Sequence, residues 1–291
     1  MGHLSLLLAT AMLFPGDAHN TIDGYAPVSA NPAYSDTTAL PHRPHQHKIA
    51  YGDDPSQYGL LWLPQKNTES SGSLIVLIHG GCWLSAYDIT HTFPLATALA
   101  RHGYPVWNLE YRRSGETGGG WPTSYDDIQR GIRALPALGA FGVSPDQVIL
   151  IGHSAGGHLA LLAASDWEQL FPGKAPRVSA VGLAAITDIK LYAAGDNSCQ
   201  QATPQFMGSM PEVNGNAYTE ANPAERKITA PVTLLQGELD PIVPRAQFER
   251  LGGPEVNRVL EPGAGHFDWI HPGTPAFATL VQQLQAIGTP N

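Results

Sequence analysis

Charge is scarce in this chain of 291 residues: Asp, Glu, Lys and Arg make up 14%, and the formal net charge is −9. Its 16 Lys and Arg form no basic run, which excludes a nucleic-acid groove and argues against an anionic membrane surface as partner. The apolar run at residues 4–14 is too short to span a bilayer, so no stable membrane insertion is expected. Only two cysteines are present, Cys82 and Cys199, too few for a disulfide framework or a thiolate metal site. No spaced set of His, Cys, Asp and Glu reads as metal ligands, and none is expected to hold a metal. What is abundant is Gly, with 31, and Pro, with 25. Both point to many turns and long loops, where a scaffold carries its function.

The first residues resemble a targeting segment. Residues 4–14 are apolar, and Gly16 and Ala18 put small residues at the −3 and −1 positions of a cut after Ala18, although no Lys or Arg precedes the run. We expect residues 1–18 to be a signal peptide and the mature chain to be exported to a periplasmic or extracellular space. Residues 19–47 are polar, rich in Pro and His and without period, and predict an extended arm. His42, His45 and His47 lack acidic or Cys partners there and read as a solvated loop.

From residue 48 to 291 the pattern is that of one α/β domain, a mostly parallel sheet with helices on both faces. Strands are expected at 58–63, 74–78, 105–109, 148–151, 178–186, 232–236 and 258–260. Helices are expected at 93–101, 124–138 and 274–287. Residues 187–230 have no clean period and form a small cap between two strands.

The stretch that organises the chain is Gly152-His153-Ser154-Ala155-Gly156. The apolar Val148-Ile149-Leu150-Ile151 precedes it and an Ala- and Leu-rich run follows. Strand, sharp turn and helix in that order make a nucleophile elbow with Ser154 at its tip. Serine attacks only when a neutral imidazole takes its proton and a carboxylate holds that imidazole. Such groups collect at the C-terminal ends of parallel strands. Asp240, in Gly237-Glu238-Leu239-Asp240-Pro241, is the first choice for the acid, with Glu238 as its rival. His266, in Gly263-Ala264-Gly265-His266, completes the order Ser, Asp, His. His271 begins a new segment, and His79 and His158 support loops. The oxyanion of a tetrahedral intermediate needs N–H donors. Ala155 supplies one, and Gly81 and Cys82 are the best others, with Gly80 next.

These residues carry a resemblance. Tyr51-Gly52-Asp53-Asp54, His79-Gly80-Gly81-Cys82-Trp83, Glu110-Tyr111-Arg112-Arg113, Gly152 to Ala160, Gly237-Glu238-Leu239-Asp240 and Gly265-His266 make the chain similar, over residues 48–287, to serine α/β-hydrolases of the esterase/lipase group. That group includes kynurenine formamidases and feruloyl/acetyl-xylan esterase-like carboxylesterases. The resemblance implies an α/β-hydrolase fold, Ser154, Asp240 and His266 as catalytic residues, and acyl transfer through an acyl-enzyme with no cofactor. It implies a small-molecule ester as substrate, short-chain or small aromatic. An arylformamidase-type amide hydrolase is the alternative, and a non-catalytic binding module on the same scaffold another. Export fits poorly with tryptophan catabolism, which is cytosolic in family members that perform it, and Cys82 stands at a position that varies in the family.

Trp83, Trp121, Phe206 and Trp269 lie near the expected site loops and are candidates for lining the substrate pocket. Cys82 and Cys199 would fasten cap to site if paired; free thiols are the other possibility. The sequence leaves the oligomeric state open.

Overall fold

The computed structural model describes residues 24–65, 68, 71–171, 173–253 and 255–288. The expected signal peptide, residues 1–18, lies outside them. The frame is a sheet of eight strands: β1 His47–Ala50, β2 Tyr58–Trp62, β3 Ser73–Ile78, β4 Val106–Leu109, β5 Gln147–His153, β6 Arg177–Leu183, β7 Val232–Gly237 and β8 Val256–Glu261. Their order is β1-β2-β4-β3-β5-β6-β7-β8. The pairs β1–β2 and β2–β4 are antiparallel, and the other neighbours run parallel.

Every residue of β3 and β5 is buried, because a parallel sheet covered by helices on both faces needs apolar side chains pointing both ways. Leu74, Val76 and Ile78 pack with Val148 and Leu150 into one core. Helices α3, Thr123–Arg133, and α4, Ala155–Ser165, cover it. Ile75 and Leu77 pack with Ile149 and Ile151 into the other. Helix α2, Phe93–Arg101, and the C-terminal helix Pro275–Gly288 cover that face. Helix α4 is buried from Ala155 to Ala164, which suits a helix with no polar stripe.

Three sequence expectations differ from the structure. The helix expected to run to residue 138 ends at Arg133, and Leu135–Phe141 continues as a 3-10 turn. Pro136 has no N–H for the α ladder. The strand expected to reach residue 186 ends at Leu183, because Ala184 adopts φ +46° and turns the chain out of the sheet.

The third concerns the arm. Within it, Tyr25 and Thr37 are buried and Tyr34–Thr38 forms a short helix, α1. Its histidines are not simply solvated: the rings of His42, His45 and His47 sit against Phe93, Trp62 and Phe141 at 5.1, 5.5 and 4.0 Å. Strand β1 follows directly, with half-buried and exposed residues alternating, a pattern too polar to stand out by hydropathy. The region 187–230 holds the short helices Ile189–Ala193, Ser198–Gln201, Thr203–Met207 and Gly215–Glu220.

Candidate active site

The site lies at the C-terminal ends of the central strands. Strand β5 runs into Ser154, which holds φ +55° and ψ −118°, and α4 starts at the next residue. A non-glycine residue in that region is strained and persists only where its surroundings impose it. Here the Ser154 N–H donates to Leu183 O at 2.9 Å. The flanking glycines are obligatory: a Cβ on Gly152 would lie 2.1 Å from Gly156 O, and one on Gly156 2.1 Å from Ile78 O. The Ser154 hydroxyl is buried and has no hydrogen-bond partner among the described residues.

His266 reaches the same cavity from the loop after β8. Its Nδ1 lies 2.8 Å from Asp240 Oδ2, so the neutral ring carries its proton on Nδ1 and keeps an Nε2 lone pair. Asp240 is held in turn. Its Oδ1 accepts the N–H groups of Ile242 and Val243 at 2.8 and 2.9 Å, and its Oδ2 accepts from Gln236 Nε2 at 3.2 Å. Glu238, the rival acid, is exposed. Asp268 fixes the His266 loop by accepting the N–H of Gly265 at 2.8 Å. Burial pushes the Asp268 carboxyl up, outweighing the N–H groups of Gly265 and Asn31 that it accepts.

The loop after β3 supplies backbone donors. Gly81, Cys82 and Trp83 have φ of +101°, +53° and +57° in succession. Among the described residues no acceptor takes the N–H of Gly81, Cys82 or Ala155. Gly80 also lets the loop close on the elbow, since a Cβ there would lie 2.7 Å from His153 O. His79 anchors the loop from below. Its ring stacks on Tyr111 at 4.4 Å, and its nitrogens lie 2.8 Å from Gly80 O and 2.8 Å from Glu110 Oε1. Burial opposes ionisation of Glu110, but His79 and Arg113 outweigh it and hold the carboxyl below the usual range. Cys82 and Cys199 form a disulfide, with Cα atoms 5.2 Å apart, that ties this loop to the cap. His158 fastens α4 to the cap through Ala221 O, at 2.6 Å. His271 instead accepts the N–H of Gly273 at 3.1 Å.

The cavity these groups share measures about 160 Å³ and includes Gly81, Cys82, Ser154, Ser198, Cys199 and His266 in its wall. A larger groove, about 780 Å³, lies by Gln147 and Arg177 at the starts of β5 and β6, away from the serine.

None of the four expected pocket residues lines the cavity. Trp83 is fully buried and stacks on Phe206, ring centres 4.7 Å apart. Trp121 stacks on Tyr125 at 5.8 Å, and Trp269 is buried in the second core. Large rings gain more from packing on one another than from a wet pocket. Tyr34, Tyr87, His91, His153, Ile242 and Phe267 take their place. Of these, only His153, inside the elbow motif, and Phe267, next to His266, carried a signal in the sequence.

An eight-stranded sheet of this order, with a serine elbow and a His–Asp pair at one cavity, defines an α/β-hydrolase of the esterase/lipase group. The sequence profile of the BD-FAE family matches residues 61–253, about two thirds of the chain. The chain belongs to that family. It is 25% identical over 273 residues to Esterase LipC of Mycobacterium tuberculosis, covering 84% of this chain and 67% of that protein. It is 27% identical over 233 residues to Esterase LipQ of the same organism, covering 72% and 54%. The chain thus spans between half and two thirds of these curated relatives. Among solved structures, Esterase B from Lactobacillus rhamnosis (HN001) superposes with a TM-score of 0.70 at 20% identity, over 87% of this chain and 89% of that one. That likeness concerns the fold.

Proposed function

We propose that this protein hydrolyses carboxylic esters of short-chain or small aromatic type through a covalent acyl-enzyme. The observation that carries the reading is the shared cavity of Ser154 and His266, with His266 hydrogen-bonded to Asp240 and free N–H groups beside the serine. The esterase names of the relatives support it.

Ser154 Oγ attacks the ester carbonyl carbon while His266 Nε2 takes its proton. Asp240 keeps the imidazole in the required tautomer and offsets its positive charge once it is protonated. The N–H groups of Gly81, Cys82 and Ala155 receive the oxyanion; losing one such donor typically costs about 100- to 1000-fold in turnover. His266 then protonates the leaving alcohol, and the acyl group stays on Ser154. Water attacks that ester, giving its proton to His266, and the acid departs as Ser154 regains its proton.

The test is covalent labelling by a fluorophosphonate together with hydrolysis of p-nitrophenyl acetate and N-formylkynurenine. The wild type is expected to label and to prefer the acetate, and Ser154→Ala to do neither. Preference for the formamide would favour the arylformamidase reading, and no labelling the binding module.

Export belongs to the same reading. The apolar run at 4–14 with Gly16 and Ala18 supports it, as does a disulfide, which oxidising compartments favour. N-terminal sequencing of secreted protein is expected to start at His19. A mature chain still carrying residues 1–18 would contradict it.

A further inference from the structure

The cavity around Ser154 has a wall that comes from the far end of the chain. Tyr34, at the start of α1, places its ring 5.5 Å from that of Tyr87, 5.7 Å from His91 and 5.6 Å from Phe267. Tyr87 and His91 follow the loop that carries Gly81 and Cys82. Phe267 follows His266. The ring therefore bridges the oxyanion side of the cavity and the base side.

Its carrier is fastened rather than loose. The Asn31 N–H donates to both oxygens of Asp268, at 3.0 and 3.2 Å, and Asn31 Nδ2 donates to Gly263 O at 3.2 Å. The Val28 N–H donates to Gly273 O at 2.9 Å. Asp36 accepts the Ala33 N–H at 2.8 Å and so holds the first turn of α1. The bonds of Asn31 run to the same loop that positions His266. A wall held this way cannot retreat without disturbing the base.

With the ring in place the cavity is about 160 Å³, roughly half the 300 Å³ at the small end of ordinary ligand pockets. We propose that Tyr34 sets the size limit of the ester this site accepts, as a fixed aromatic wall of its cavity. The inference rests on the esterase reading and deepens it: the substrate class becomes esters compact in whichever part, acyl or alcohol, lies against the ring.

Ring size at this position is the variable to change. The full-length mature protein would be assayed with p-nitrophenyl esters from acetate to octanoate, and with acetate esters of alcohols from methanol to naphthol. Tyr34→Ala is expected to raise kcat/KM for the bulkiest member of at least one series, relative to the smallest, by tenfold or more. Tyr34→Phe should keep the ratio within twofold of wild type, and Tyr34→Trp should lower it. Tyr34→Leu reads the same ratio if the alanine variant does not fold. Active Ala or Leu variants with ratios within twofold of wild type in both series would overturn the inference alone. A wild type inert to every ester and to the fluorophosphonate would overturn the esterase reading and the inference with it.

Discussion

His153 Nε2 donates a hydrogen bond to the main-chain oxygen of His266 across 2.9 Å, with the two rings 4.5 Å apart. The residue before the nucleophile thus holds the backbone of the residue assigned to deprotonate it. Burial pushes the His153 pKa well down, with His266 adding to the effect, so His153 stays neutral and its Nε2 proton has one task. His153→Phe keeps a ring but removes the donor. We expect kcat on p-nitrophenyl acetate to fall about 10- to 100-fold, since small misplacements of catalytic groups have effects of that order, with KM nearly unchanged. A rise in KM at constant kcat would mean that His153 contacts substrate instead.

Asp240 and Glu238 share one loop, but only Asp240 meets His266. Asp240→Asn leaves the shape of the site intact and offers the wrong partner to Nδ1–H. The expected loss in kcat is on the order of ten thousandfold, as in other Ser–His–Asp sites. Glu238→Gln, at an exposed position, is expected to stay within about twofold, as surface substitutions commonly do. Steady-state kinetics of the two variants side by side separates the assignments.

The Cys82–Cys199 bond joins residues 117 positions apart. In the chain-entropy account such a closure stabilises by roughly 4 to 5 kcal/mol. The double variant Cys82→Ser/Cys199→Ser is expected to lose stability of that order in a urea titration. It should also lose turnover, because the bond holds the loop whose Cys82 N–H is proposed to receive the oxyanion. Free-thiol titration of denatured, unreduced wild type should find none; two thiols per chain would remove the basis of both expectations.

Buried histidines, His158 and His91 among them, make the fold acid-sensitive. Burial lowers the pKa of His158 to about 4, against the opposing effect of its bond to Ala221 O. Burial, aided by His79, lowers that of His91 to about 3. In the unfolded chain both take up protons near the ordinary value, about 6.5. Between those values the unfolded state binds more protons, so stability is full above about pH 6.5 and falls as pH drops toward 4. A shift like that of His158 corresponds to on the order of 3 kcal/mol. Tm measured from pH 7.5 to 4.5 should fall steadily, and less steeply in His158→Gln, which retains a donor for Ala221. Equal slopes in both proteins would show that His158 does not carry the effect.

The parts legible in the sequence are those where one physical demand dominates. Strands β3 and β5 are buried on both faces, so they read as unbroken apolar runs. The elbow is crowded enough that Gly152 and Gly156 have no substitutes, so its pattern stands out. Side-chain direction was not legible. Cys82 faces the cavity and Trp83, one residue on, turns into the core, and nothing in their order says which does which. Tyr34 was invisible for another reason: it sits in a short polar segment with no period, and its value lies in contacts with residues 53 to 233 positions later. Cys82 and Cys199 could be paired only by coordinates, because geometry and not composition decides whether two thiols meet.

Asn31 and Asp268, whose bond steadies the His266 loop, are separated by 237 positions. The segment around Asn31 and the loop around Asp268 must therefore meet before the loop that carries His266 is steadied. Contacts this distant in order are slow to form, so the loop that carries His266 is expected to be fixed later than the elbow, whose parts are close in sequence.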